Sequence, residues 1–237
     1  MARRVLFSGG MDSTLCLIMA QREDASVEAV AVDYGQRHAR QELAQAVLIA
    51  QTLAIPLHIL RGVDVGDGAL TCGVGELDSA SAVLPGRNKA LLRAAGWLHG
   101  LRASELVIGA TLDDAPHFED CRPEFFEALS VEWGIRIEAP LVAMTKADVV
   151  CAFAAWGASS TLVYTYSCYR GAELACGFCG ACRARVRGFS EAGVRDPGAY
   201  ADRRLLTSCG FCGAGPGDRC HHPNHGYTAP HSQRVGG

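Results

Sequence analysis

Ser8-Gly9-Gly10-Met11-Asp12-Ser13-Thr14 follows a short apolar run ending in Leu6-Phe7 and opens a stretch of helix-forming residues. A strand that ends in Ser-Gly-Gly and turns at once into a helix aims several backbone N–H groups, and the positive end of the helix dipole, at one point. A phosphate suits that point. Glycine is needed where the backbone angles resist side chains and where an anion must approach the main chain closely. The hydroxyls of Ser8, Ser13 and Thr14 can add hydrogen bonds. No lysine follows the glycines as a Gly-x4-Gly-Lys-Ser/Thr loop would require, so γ-phosphoryl transfer is not indicated. Cys16, four residues beyond Asp12, reads as a small buried hydrophobe.

A second chemistry is written in the cysteines. Of the eleven, four stand singly at 16, 72, 121 and 151, and seven lie between 168 and 220. Cys168, Cys176, Cys179 and Cys182 form a C-x7-C-x2-C-x2-C array. Four thiolates can close a tetrahedral zinc site with no open position, which makes the site structural. A four-cysteine iron–sulfur cluster has the same ligand requirement, and spacing serves either. Cys209, Cys212 and Cys220, with His221, His222, His225 and His231 downstream, offer a second site of the Cys3His type.

These groups need a scaffold, and the pattern supplies one. "RVLFSGG", "VEAVAVDY", "IPLHIL", "ELVIGA" and "IRIEAPL" read as five short buried strands. Helical stretches lie between them, including one from Asp12 to Arg22, capped by Asp12 or Ser13, and one opened by Thr145. This is the alternation of an α/β protein with a five-stranded parallel sheet and helices on both faces. Residues 62 to 86, rich in Gly, Asp and Ser, read as a long loop. A shift in composition near Asp196-Pro197-Gly198 divides the chain into a main domain at 1–192, a linker at 193–206 and a small tail at 207–237. At 237 residues and 49% hydrophobic composition the chain can bury a full core. No apolar run approaches the ~20 residues of a membrane span, and the N-terminus lacks a signal-peptide core, so a cytoplasmic location is expected. The net charge of −3 gives no general reason to expect a nucleic-acid partner, although residues 195 to 237 carry five Arg against three Asp.

The glycine turn closely resembles the Ser-Gly-Gly-x-Asp-Ser loop of the ATP pyrophosphatase (PP-loop) superfamily, whose loop holds the β- and γ-phosphates while a substrate oxygen attacks the α-phosphate. Further motifs follow in order: "DYGQRH" at Asp33 to His38, "PGRN" at Pro85 to Asn88, "DCRPEF" at Asp120 to Phe125, and "SCY" at Ser167 to Tyr169 leading into the cysteines and "RVRGF". Together they are similar to the 7-cyano-7-deazaguanine synthases of the QueC family, over roughly residues 3 to 190.

The resemblance implies an adenine nucleotide alpha hydrolase-like fold and conversion of 7-carboxy-7-deazaguanine and ammonia to the nitrile. ATP, magnesium and zinc are the implied cofactors, and the family suggests a homodimer. Phe7 to Thr14 would form the ATP cradle, with Asp12 touching magnesium or organising the turn, because bare carboxylate and phosphate repel. Asp120 or Asp114 would read the guanine-like edge, Arg122 or Arg87 would pair with the substrate carboxylate, Asn88 would join them, and Lys146 would steady developing phosphate charge. The chain departs from the family where Phe118-Glu119 replaces Tyr-Pro before Asp-Cys-Arg, which touches the choice of deazapurine or the stage at which reaction stops. The tail resembles small zinc modules appended to phage and actinobacterial proteins, some associated with DNA binding. That resemblance implies His231 as the fourth ligand beside Cys209, Cys212 and Cys220. Two other functions remain open at this stage: an adenylating enzyme that stops at the amide or joins the deazaguanine to a macromolecule, and a zinc-dependent nucleic-acid-binding module.

Overall fold

A computed structural model describes residues 2–24, 26–72 and 81–201. The expected Cys209, Cys212, Cys220 and His231 site, with the whole 207–237 tail, lies outside the described residues. The sheet has five parallel strands, β1 (Arg3–Leu6), β2 (Glu28–Asp33), β3 (Leu57–Arg61), β4 (Glu105–Val107) and β5 (Arg136–Glu138), in the order β3-β2-β1-β4-β5. The helices are α1 (Met11–Glu23), α2 (Ala39–Thr52), α3 (Arg87–Gly96), α4 (Pro123–Trp133), α5 (Lys146–Ala155) and α6 (Gly180–Glu191). No helix among the described residues is long and apolar enough to cross a membrane.

The strands are apolar on both sides because the sheet is covered on both faces. Val30 and Val32 of β2, with Leu106 and Ile108, pack against Leu91 and Leu92 of α3 and Phe126 and Leu129 of α4. Ala29 and Ala31 alternate to the other face, where Val5 and Val107 meet Leu15 of α1, Ile49 of α2 and Phe153 of α5. Arg4 breaks the apolar pattern of β1. Buried at 3% exposure, it donates to the carbonyls of Ala95 and Leu101 and to the Glu28 carboxylate, so the guanidinium satisfies the end of α3.

Helix starts distinguish structure from function here. Thr145 caps α5 as its residue type predicts, closing a reciprocal pair of bonds with Asp148. For α1 the expectation of an Asp12 or Ser13 cap is corrected. Gly10 is the cap residue and offers no side chain, while the Ser13 and Thr14 hydroxyls donate backward to the Gly10 carbonyl at 3.2 and 2.7 Å. The first turn of α1 therefore keeps its N–H groups for something other than its own side chains.

Chain order reverses at β1, since β2 and β3 lie to one side and β4 and β5 to the other. In open α/β sheets the crevice beyond the carboxyl ends of the strands at such a reversal is where ligands bind. Residues beyond α6 also close onto the domain. The Asp196 carboxylate accepts from Nε and Nη2 of the fully enclosed Arg185 and from the Tyr200 hydroxyl at 2.6 Å, and Ala175 bridges to Tyr200. The stretch to Ala201, which by composition alone reads as linker, is thus packed by a charged pair that composition cannot reveal.

Candidate active site

The glycine turn is held from within. Ser8 N donates to Ser13 Oγ and Gly10 N donates to Ser8 Oγ, both at 3.2 Å, and Tyr166 N donates to the Gly9 carbonyl at 3.1 Å. Gly9 has φ +78°, and a Cβ there would stand 2.8 Å from both Glu42 O and Ala46 N. Gly109, just past β4, has ordinary angles but lies beneath the start of α1, where a Cβ would meet Ser13 N at 2.8 Å and Asp12 C at 2.9 Å. Both contacts are with backbone and cannot yield by a rotamer change. Gly109→Ala is expected to displace the first turn of α1 and weaken ATP binding by about 10-fold or more, with a stability loss of about 1–3 kcal/mol. Equilibrium binding of ATP together with urea unfolding checks this, and unchanged affinity would mean that the turn does not receive the nucleotide.

Two adjoining cavities of ≈ 570 and ≈ 240 Å³ open beyond the strand ends. Ser8, Asp12, Glu42, Asp114, Phe118 and Tyr169 line both. The smaller is walled by Phe7, Val32 and Ile108 with Arg87 and Asn88 at its side. The larger carries Arg170, Arg183 and Arg187 opposite the glycine turn.

Between them stands a charge cluster assembled from three parts of the chain. Lys146 Nζ donates to Asp12 Oδ2 at 2.7 Å and to Asp114 Oδ2 at 3.2 Å. Asp114 Oδ2 also accepts from Thr111 N and Oγ1, and the Lys146 backbone N–H donates to Asp113 Oδ2 at 2.7 Å. Burial works against the Lys146 ammonium, but Asp12 and Asp114 outweigh it and hold its pKa above the ordinary lysine value. For Asp114 burial raises the pKa, yet Lys146 and Thr111 overcome it and the net shift is downward. Asp12 Oδ1 is buried and has no hydrogen-bond partner among the described residues. An oxygen in that condition suits a hard divalent cation.

The structure gathers Phe7, Ser8, Gly10, Met11, Asp12, Ser13, Arg87, Asn88, Asp114 and Lys146 around these cavities. Thr14, at 0% exposure, belongs to the turn's framework. Asp120 is occupied at the start of α3, where its carboxylate accepts from Asn88 N, and its carbonyl from Asn88 Nδ2. Arg122 is exposed and donates to the Ala115 carbonyl. Neither lines a cavity. Phe118 is buried against both cavities, whereas Glu119 is exposed, so only the first of the two family departures faces the site. Tyr169, Arg170, Arg183 and Arg187 carry no site role in the sequence reading, although Tyr169 and Arg187 belong to its "SCY" and "RVRGF" motifs; the signal for Arg170 and Arg183 is their position around the cysteine array.

That array converges. The Sγ atoms of Cys168, Cys176, Cys179 and Cys182 lie within 4.8 Å of one another, and all four residues are buried. Backbone N–H groups of Arg170 and Cys176 point at Cys168 Sγ, and that of Cys179 at Cys176 Sγ, each at 3.4 Å. Such donors stabilise thiolate, and the cluster can hold a metal ion. Cys179 is also the cap residue of α6, which carries Arg183 and Arg187 to the larger cavity.

Comparison with known proteins identifies the family. A family model described as Queuosine biosynthesis protein QueC matches residues 3–193. The 7-cyano-7-deazaguanine synthase of Geotalea daltonii is 40% identical over 84% of this chain and 96% of its own length. That of Solidesulfovibrio magneticus is 38% identical over 83% of this chain and 94% of its own. Among solved structures, the U34-tRNA thiolase NcsA of Methanococcus maripaludis matches at 17% identity with a TM-score of 0.45, covering 65% of this chain and 56% of that one. Family match and near full-length relatives together establish that the chain belongs to the QueC family.

Proposed function

We propose that this chain is an ATP-dependent 7-cyano-7-deazaguanine synthase that turns 7-carboxy-7-deazaguanine and ammonia into the nitrile. The observation that carries this reading is the uncapped first turn of α1 facing the same cavity as the Lys146, Asp12 and Asp114 cluster. The turn from Ser8 to Thr14 receives the β- and γ-phosphates, and the substrate carboxylate attacks the α-phosphorus to release pyrophosphate. Lys146 steadies the charge that develops there. Asp12, through its unpartnered Oδ1, would hold a magnesium ion, which would offset the charge of the polyphosphate. Asp114 commits Oδ2 to Thr111 and Lys146, which leaves Oδ1 to accept an N–H from the guanine-like edge. Arg87, bounded by Tyr34 and Tyr169, keeps its charge despite burial and pairs with the substrate carboxylate. Asp120 and Arg122 serve at a distance by fixing Asn88 and the backbone at Ala115. Zinc on the four cysteines is structural, and residues 207–237 form a second zinc-binding unit.

Incubation with 7-carboxy-7-deazaguanine, ATP, magnesium and ammonium, followed by mass spectrometry, is expected to yield the nitrile and AMP. An amide endpoint, or AMP with no free deazapurine product, would overturn the nitrile assignment and point to a diverged ligase whose acceptor lies elsewhere.

A further inference from the structure

His38 sits at the start of α2 and lines the smaller cavity together with Ser8, Asp12 and Arg87. It is 4% exposed, and its Nδ1 is buried with no hydrogen-bond partner among the described residues. It is the cap residue of α2, but its side chain makes no cap bond. On the opposite side of the ring, Nε2 lies 3.5 Å from Glu42 Oε2. Glu42 is itself fixed by a hydrogen bond from Gln36 Nε2 at 3.1 Å and lines both cavities. Tyr169 packs on the imidazole with ring centroids 5.6 Å apart, and Gly171 leaves room for the backbone, since a Cβ there would stand 2.9 Å from His38 Cα. A ring clamped on one face, with a carboxylate on one nitrogen and a bare lone pair on the other, has the arrangement of an oriented base.

From this geometry we infer that His38 takes protons from the reacting nitrogen, with Glu42 as the residue that orients it. The inference rests on the synthase reading above. When ammonia attacks the acyl carbon of the adenylate, its lone pair forms the C–N bond. The C–O bond to AMP breaks, and the nitrogen must then lose one proton to become the amide. After the amide oxygen is adenylated, the nitrogen sheds both remaining protons. The second leaves as the C–O bond to AMP breaks, and the N–H electron pair becomes the third C–N bond. His38 Nδ1 accepts these protons one at a time, and between steps the imidazolium passes a proton from Nε2 to Glu42, which faces the larger cavity and releases it to water there. Formation of the first adenylate moves no proton, so it does not need His38.

That asymmetry sets the test. Carboxylate-dependent exchange of labelled pyrophosphate into ATP reads adenylation alone, and nitrile formation reads the whole sequence. In His38→Gln and His38→Asn, exchange is expected within about 3-fold of wild type while amide and nitrile formation fall by about 10²–10³-fold. Glu42→Gln is expected to show the same split at smaller size. Loss of exchange and product together in both His38 variants would overturn the inference, because a structural role would damage both. Full product formation in either variant would overturn it as well. If the wild-type chain shows no carboxylate-dependent exchange, the synthase reading fails first and this inference with it.

Discussion

Replacing Lys146 by methionine is expected to lower both pyrophosphate exchange and product formation by about 10²–10³-fold, the usual cost of removing one charged donor aimed at developing charge. The side chain is nearly enclosed, and its two carboxylate partners are about one-quarter exposed or less. Deleting the cation leaves Asp12 and Asp114 facing each other without it. Breaking a fully buried pair costs about 3–5 kcal/mol, and partial solvation of these carboxylates brings the expected loss to the low end of that range. The two effects separate in the double variant Lys146→Met with Asp12→Asn, which should regain stability and stay inactive.

The pH dependence of the stability difference has a definite sign. Lys146 has a raised folded pKa, so its contribution is complete below the ordinary lysine value of about 10.4 and is lost as pH rises through the folded value. Asp114 has a lowered folded pKa, so its contribution is complete above about 3.9 and is lost as pH falls through the folded value. Burial raises the Asp12 carboxyl above its ordinary value despite Lys146, so its contribution is lost as pH rises through the folded value, and removing Lys146 raises it further. Denaturant unfolding of wild type and Lys146→Met should therefore differ most where both carboxylates and the ammonium are charged, at neutral to mildly alkaline pH, and converge toward both extremes. A Lys146→Met enzyme within a few-fold of wild-type exchange would remove Lys146 from the chemistry.

The cluster shows where sequence reasoning reaches and where it stops. Asp12 and Lys146 are 134 positions apart, and only the order of the strands brings α1 and α5 to one crevice. The five strands and the helix starting at Thr145 were legible because their signals are local: apolar runs, and a threonine three residues before an aspartate. The cap of α1 differs from the sequence expectation for the opposite reason. Ser13 and Thr14 have good capping side chains, but both bond backward to the Gly10 carbonyl, and nothing local distinguishes that from capping. Asp120 and Arg122 belong to a motif that the family resemblance raised, yet Asp120 is spent on Asn88 and Arg122 on a backbone carbonyl. Charge type in a motif does not say which way a side chain turns. The basic wall of the larger cavity is not legible locally, because Arg170 and Arg183 stay exposed and Arg187 half-buried like the charges of any helix or loop, and only the tertiary fold brings them to one cavity.

The link from the cysteines to Arg183 and Arg187, through Cys179 at the start of α6, predicts the second large effect. The segment from Ser167 to Ala201 has one helix, α6, and its inner residues are mostly the four thiols, Val186 and Phe189. So short a piece gains little from apolar burial alone, and a metal on the four thiolates would order it beyond what the Arg185–Asp196 pair supplies. Zn–S bonds of ~2.3 Å require sulfurs about 3.8 Å apart, and Cys176 Sγ and Cys182 Sγ stand at 4.0 Å. Cys182→Ser, or stripping the ion with a chelator, is expected to release the start of α6 at Cys179 and withdraw Arg183 and Arg187 from the cavity. Exchange and nitrile formation should then fall together by more than about 10²-fold, with a clear drop in Tm, since structural zinc can contribute about 10 kcal/mol or more to folding. This joint loss contrasts with the split expected at His38. Metal analysis should find two zinc ions per full chain and one in Cys182→Ser, while Cys212→Ser should also bind one and keep its activity. Iron in place of zinc would change the identity of the ion and leave the link intact, whereas an active Cys182→Ser enzyme would break the link between the cysteines and the arginine wall. The spacing of four sulfurs would then be only a fold stabiliser, and the positioning of α6 would have to come from Arg185 and Asp196 instead.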